Sequence, residues 1–267
     1  MTTYQRIIKS LAIILAMIII LLIMYCIINI INNVFDLSFL YNNENHYEKS
    51  FRNLTRIKID SKTSQINIKS GNKYKIIIDN TNKNYDIKET KKSIEVEEKK
   101  LLIKKKKDKT SITIYIPRKK RLNELNIDSD IGIVNIDNVD INILDLEEKA
   151  GTININNSNI LKTILEGKAG KITINKSYLN NLELETKVSK VDINAYITGI
   201  SKIKSGISSI NISLLGSKND YQIKSNKKVG SIIINNEEQK NNSLYGYGEN
   251  YIEVENGIGT VNIEFIK

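Results

Sequence analysis

Apolar and polar residues alternate along most of this chain in short runs that recur at a fixed distance. The segments Gly132–Ile136, Gly151–Ile155, Gly170–Ile174, Ser189–Ile193 and Ser208–Ile212 share a pattern of small residue, any residue, aliphatic, polar, Ile. Each begins 19 residues after the one before. Two more copies, Gly230–Ile234 and Gly259–Ile263, follow at spacings of 22 and 29 residues, and an early copy stands at Ser64–Ile68. A second alternating pair precedes most of them: Ile57/Ile59, Leu125/Ile127, Leu144/Leu146, Leu182/Leu184 and Ile252/Val254. Two units keep only Leu165 and Ile203 of that pair, and a third apolar position recurs at Ile141, Ile160 and Leu179. Period-two alternation is the signature of a strand with one face buried. Each unit therefore predicts two short strands joined through a Gly or Ser corner, where a missing or small side chain lets backbones approach closely.

A unit this short cannot bury its own apolar face, but stacked copies share a continuous core and pair each strand with the next. The expected fold is all-β: a β-solenoid (β-helix) of about 19-residue coils, stacked in the order of the sequence. The middle residue of each anchor (Asn67, Asn135, Asn154, Thr173, Asp192, Asn211, Asn262) should then form a polar ladder on an outward face. Two other architectures compete. Leu122-x-x-Leu125-x-Ile127 opens like a leucine-rich repeat, but a second β-type run follows where that repeat has a loose return leg. A β-sandwich or propeller could also use strands this short.

The N-terminus reads differently. Leu11 to Ile31 carries no formal charge over 21 residues, close to the roughly 20 that span a bilayer. It is too long for the core of a cleaved signal, and nothing small follows it. Arg6 and Lys9 precede the run while Asp36, Glu44 and Glu48 follow, which places the N-terminus in the cytoplasm. The expected organisation is a cytoplasmic tail at 1–10, one transmembrane α-helix at 11–31, a stalk at 32–50, and a solenoid at 51–267 with a divergent basic hairpin at 73–121. Strands at Tyr74–Ile78, Ser93–Val96, Leu101–Ile103 and Ser111–Ile116 make that hairpin region a meander, and Glu237–Gly248 reads as an inserted loop. The expected location is the cell membrane, single-pass, with the repeats outside the cytoplasm.

Composition narrows the chemistry. Cys26, the single cysteine, lies in the apolar run, so no internal disulfide can form. His46 is the single histidine, so no Ser–His–Asp or Cys–His arrangement is available within the repeats. Asp128, Asp130, Asp137 and Asp140 lack calcium-loop spacing. Glu147 and Glu148 are sequence neighbours, which in a strand point to opposite faces. No cofactor, metal or catalytic residue is expected. The net charge of +10 resides in one segment, where eleven cations (Lys99, Lys100, Lys104, Lys105, Lys106, Lys107, Lys109, Arg118, Lys119, Lys120, Arg121) face only Asp108. Such density suits an anionic partner: an envelope polymer or lipid headgroups. It also suits a solvated edge that resists aggregation. A location outside the cytoplasm excludes nucleic acid as the partner.

The opening Ile57–Ile68, the strand ending Tyr115-Ile-Pro117, the serial Gly-x-Ile-x-Ile anchors and the closing Gly248–Ile263 resemble the bacterial adhesin-like DUF4097 β-strand-repeat family over residues 51–267. Where that family usually has Ser-Gly-Asp at the corner, this chain has Lys-Ala-Gly, Lys-Val-Ser and Lys-Val-Gly. The resemblance implies a cell-envelope location and a connection to envelope-stress responses, and it carries no catalytic residues. The expected function is a non-catalytic binding or interaction module, touching anionic material or a partner membrane protein. A self-associating structural solenoid and an envelope-glycan-active enzyme are the alternatives.

Overall fold

The computed structural model describes Leu15, Ile18, Ile19, Leu22 and residues 46–79, 85–99 and 110–266. The chain divides between Glu44 and Asn45, and Asn45–Lys267 forms its own compact unit. Of the expected membrane span only Leu15, Ile18, Ile19 and Leu22 are described, and these are helical. Among the described residues no helix is long and apolar enough to cross a membrane, and the remainder of the expected span lies outside them.

The second unit is all-β. In its first part lie β1 (Tyr47–Phe51), β2 (Arg56–Gly71), β3 (Tyr74–Asp79), β4 (Tyr85–Glu89), β5 (Ser93–Glu98) and β6 (Thr110–Pro117). Five long strands follow: β7 (Arg121–Asp137), β8 (Asp140–Asn156), β9 (Asn159–Asn180), β10 (Leu182–Thr198) and β11 (Ile200–Leu215). The chain finishes with β12 (Tyr221–Lys227), β13 (Ser231–Ile234), β14 (Glu237–Glu238), β15 (Ser243–Tyr245) and β16 (Asn250–Ile266). Tyr47–Ser50, expected at the end of the stalk, thus belong to the sheet, in antiparallel pairing with β3.

Through the middle, pairing is parallel and residues meet those 19 positions on, except where a register shift at Asn194/Ala195 sets Ala195–Thr198 opposite Ser177–Asn180 at an offset of 18. Val134 faces Ile153, Ile153 faces Ile172, Ile172 faces Val191, and Val191 faces Ile210. The repeat distance in the sequence is therefore the register of the sheet. Within a unit the buried set changes parity twice. Leu144, Leu146 and Glu148 are buried, then Ile153 and Ile155, then Ser158 and Ile160. Side chains of a straight strand alternate faces without interruption, so each parity change marks a bend that keeps the next leg facing the same core. The first bend is the Gly/Ser corner. A Cβ on Gly151 would lie 2.2 Å from the carbonyl oxygen of Gly132, and one on Gly170, at φ +139°, 1.9 Å from that of Gly151. The second bend is a left-handed residue, and Lys119, Asn138, Asn157 and Lys176 hold φ of 64°, 56°, 48° and 48° at 19-residue intervals. Asparagine tolerates this region better than most residues, and two of the four are asparagine.

The ends depart from the expected order. Residues 73–117 break the sequence period, yet β5 pairs in parallel with Arg56–Asp60 and β6 with Ser64–Gly71 of β2. Together they build a split level on the outer side of β2, whose other side holds β7. β5 and β6 are consecutive halves of one level rather than the arms of a hairpin. Of the expected meander, β3 pairs antiparallel with β6 and β4 with β5, and the strand expected at Leu101–Ile103 lies outside the described residues. At the far end β16 pairs with β11 on one side and with β12 and β13 on the other. The C-terminal strand is thus inserted beneath a level that precedes it in sequence, and stacking in sequence order fails there. The segment expected as a loop at Glu237–Gly248 contains β14 and β15, which close this level by antiparallel pairing with β13 and β12. An exposed parallel edge is a template for unwanted pairing, and short antiparallel strands at both ends remove it.

Candidate functional site

The expected outward ladder is present but interrupted. The Asn135 side-chain amide donates to Asn67 Oδ1 at 2.9 Å, and that of Asn154 donates to Asn135 Oδ1 at 2.8 Å. Farther along, Asn211 donates to Asp192 Oδ1 at 3.0 Å and Asn262 to Asn211 Oδ1 at 3.2 Å. Thr173 sits between the two runs, too short to bridge, and its buried hydroxyl has no hydrogen-bond partner. These amides are spent on one another, which makes the ladder a structural element first.

Of the eleven cations expected to form one cluster, Lys99, Arg118, Lys119, Lys120 and Arg121 are described; Lys100, Lys104–Lys107 and Lys109 lie outside the described residues. The described ones are separated by the fold. Lys99 follows β5 at the Gly/Ser corner, whereas Arg118–Arg121 follow β6 at the left-handed bend. The eight residues of β6 lie between these places, roughly 25 Å of strand at the usual rise. One run of charge in sequence becomes two places in space.

Arg118, Lys119 and Lys120 line an open groove of about 490 Å³ together with Ser70, Asn138 and Asn157. Asp140 also lines it and lies 3.9 Å from the Arg121 guanidinium, which additionally donates to the Ile141 carbonyl. Arg118, Lys119 and Lys120 form no ion pair among the described residues, so their charge is available to a ligand. The Asn138 side-chain amide is held by Ser70 Oγ at 3.1 Å. Local geometry explains the convergence, because the left-handed bends at Lys119, Asn138 and Asn157 occupy equivalent places in three successive levels.

The acids expected to be inert are mostly paired. Lys149 bridges to Asp130 and Asp128, and Lys168 to Glu147. Among the described residues no group of three or more His, Cys, Asp or Glu is placed to hold a metal ion. His46 contacts Asp79 at 2.5 Å on the surface.

Among the described residues two carboxylates are buried: Glu148, the inward member of the Glu147/Glu148 pair, and Glu98, which the sequence reading did not single out. Glu148, in register behind Leu144 and Leu146, is buried at the corner, where Oε1 accepts from the Gly132 N–H at 3.0 Å and Oε2 has no partner. Burial pushes its carboxyl above the ordinary range, against the pull of the nearby Ser129 hydroxyl and the Gly132 and Ala150 N–H groups. Glu98 is buried at the same corner in the split level and accepts from Ser61 Oγ and the Lys62 N–H. The signal was available: an acid standing where the alternation asks for an aliphatic residue.

These features define an all-β repeat protein with a polar ladder along its length and a basic groove at its bends. No protein-family model matches the chain, and no curated relative matches it. Solved structures do. A Clostridium sporogenes protein named as a candidate cell adhesion protein is 17% identical, covering 83% of this chain and 99% of its own, at a TM-score of 0.32. Candidate adhesins from Bacteroides fragilis (12% identical, TM-score 0.36) and Parabacteroides distasonis (14%, TM-score 0.37) each match over 83% of this chain and 96% of their own.

Proposed function

We propose that this chain is a membrane-anchored β-solenoid of the adhesin-like DUF4097 kind, held outside the cytoplasm by Leu11–Ile31, and that it works as a non-catalytic binding module at the cell envelope. The 19-residue register and the two bends per unit support the winding; the uncharged run of 21 residues supports the anchor. The ligand is anionic: an envelope polymer or headgroups bearing phosphate or carboxylate. The observation that carries this reading is the groove where Arg118, Lys119 and Lys120 converge without an acidic partner of their own. A groove with three cations to the one acid Asp140, which faces Arg121, concentrates counter-charged ligands, and its hold weakens with salt. Lys99 at the corner would add a second contact on a polymer long enough to reach both. A role in envelope stress fits this arrangement.

Self-association through stacked ends is the weaker reading, since β1, β3 and β4 at one end and β14 and β15 at the other occupy the edges that stacking needs. The test uses the full chain in neutral phosphatidylcholine nanodiscs, passed over immobilised polyphosphate. Replacing Arg118, Lys119 and Lys120 with Gln should lower salt-sensitive retention about tenfold, the equivalent of about 1.4 kcal/mol. Retention equal to that of the unmodified chain would remove the groove as the binding site.

A further inference from the structure

The residue just before each corner glycine or serine forms a column of its own. Ile131, Ala150, Ala169, Val188, Ile207 and Ile258 are register partners through six successive levels. Val229 holds the equivalent place in the last level, its N–H bonded to the Gly257 carbonyl. Alternation should turn these side chains either into the core or into polar company, and neither happens. Ile131 is 58% exposed, Val188 56%, Ile207 54%, Ile258 50% and Val229 80%. The corner is the outside of a bend, so the column is a convex ridge with levels roughly 4.8 Å apart. Its branched aliphatic side chains are contiguous over Val188, Ile207, Ile258 and Val229, with Ala150 and Ala169 between them and Ile131. Single exposed aliphatics need no explanation, but a contiguous row marks a surface that meets something apolar.

The flanks say what that something is. Next to Ile207 and Ile258 stand Gly206, Gly257, Ser208 and Gly259, which leave the ridge proud of its surroundings. Next to Val188 and Val229 stand Lys187, Lys190 and Lys228. Lys187 and Lys228 form no ion pair among the described residues, and Lys190 reaches Asp192 only at 3.8 Å. Aliphatic side chains bordered by unpaired lysines are the composition of an element that lies in a membrane interface, its apolar atoms among the upper acyl chains and its ammonium groups at the phosphates. A convex row is also the wrong shape for a tight protein–protein contact, which needs an extended complementary surface of at least roughly 1,000 Å².

We infer that the Val188–Ile207–Ile258–Val229 ridge docks on the surface of an anionic phospholipid bilayer. The inference rests in part on the anchored reading. If Leu11–Ile31 spans the bilayer, the fourteen residues 32–45 allow at most about 50 Å of reach. A weak interfacial contact then gains from a high effective concentration. The ridge is separate from the basic groove: it lies on the Gly/Ser corner, while Arg118–Lys120 lie at the left-handed bend. Docking by the ridge leaves the groove to its own ligand.

The test places an environment-sensitive nitrobenzoxadiazole label at Ile207→Cys in a Cys26→Ser background of the full chain. The chain is reconstituted in vesicles of phosphatidylcholine alone or with phosphatidylglycerol. A second label site, Asn142→Cys, serves as the solvent control. The expected result is a blue-shifted emission at position 207 that brominated lipids quench and that requires phosphatidylglycerol, with no shift at position 142. Replacing Lys187, Lys190 and Lys228 with Gln should abolish it. Equal, unquenched emission at both positions on anionic vesicles would overturn the proposal. A shift that lipid bromines do not quench and that grows with protein density would overturn it in favour of a second copy of this chain. Flotation of the vesicles reports the anchor independently: a chain that fails to float has lost the anchored reading, whatever the label shows.

Discussion

The middle of the stack and its two ends are built from the same kind of strand, yet they obey different rules. From β7 to β11 each level is followed in space by the next level in sequence, at an offset of 19 residues that shifts to 18 only in the last leg between β9 and β10. At the ends the order is rearranged. The split level β5/β6 lies outside β2, and β16 is inserted between β11 and the split level β12/β13. The middle needs only that neighbours match. An end must also be finished, and a strand in its natural sequence position would leave an unpaired parallel edge. Both ends solve this by splitting a level and laying short antiparallel strands on it, so the middle is locally determined and the ends are determined by what lies outside them.

That difference predicts opposite outcomes for two deletions of similar size. Excising residues 141–159 removes one unit and brings Ile160 to the place of its register partner Ile141. The shortened chain should stay folded and melt cooperatively, a few degrees lower, because one set of nearest-neighbour contacts is lost. Deleting residues 250–267 instead removes the partner shared by β11, β12 and β13, and folding should fail. Circular dichroism with thermal melting reads both; if the second deletion melts like the first, the ends are not special. Smaller in effect is Ile155→Ala, which empties a fully buried position in the middle and should cost about 2–5 kcal/mol, measured by urea unfolding.

Electrostatics sharpens the same contrast at the corner. Glu98, in the split level, is met by the Ser61 hydroxyl and the Lys62 N–H, while Glu148, in the middle, keeps one oxygen without a partner. Because burial raises the folded-state value of Glu148 above the unfolded one, its contribution is complete below the unfolded carboxyl value of about 4.3 and declines as pH rises through the folded value. Glu148→Gln should therefore flatten the fall in stability on going from pH 4 to pH 8 and raise the melting temperature at the upper end. An unchanged slope would mean that the carboxylate finds a partner in solution. The smallest effect belongs to the ladder: Thr173→Asn together with Asp192→Asn should join its two halves, each amide donating to the level before, and stabilise by about 0.5–1.5 kcal/mol, with no gain expected from Asn at exposed Ser209.

Much of the middle was legible from the chain alone. Units that repeat their alternation at a constant interval leave little choice of partner, so the register of Val134, Ile153 and Ile172 is written in the sequence. Thr163 and Ser201 explain the two half-signatures, since each takes a buried place in the same leg where other units have an aliphatic residue. The ends were not legible, because insertion of β16 next to β11 depends on contacts 51 residues apart with the same local pattern as any other pair. The basic segment was visible as charge but not as geometry. Linear density said nothing of the strand that divides Lys99 from Arg118, nor of the bend that gathers Arg118–Lys120 beside Asn138. The exposed column at Val188 and Ile207 was hidden in plain alternation, because only the bend turns those side chains outward.

The most direct test of the winding and its rearranged end is a pair of spin-label measurements in the Cys26→Ser background. Labels at Asn211 and Asn262 should lie on adjacent strands and show strong dipolar broadening, whereas labels at Asn211 and Ile233 should be two levels apart, roughly 10 Å, and show distinctly less. Stronger broadening for 211 and 233 than for 211 and 262 would mean that the levels follow sequence order to the end, and broadening for neither pair would mean that these segments do not stack at all.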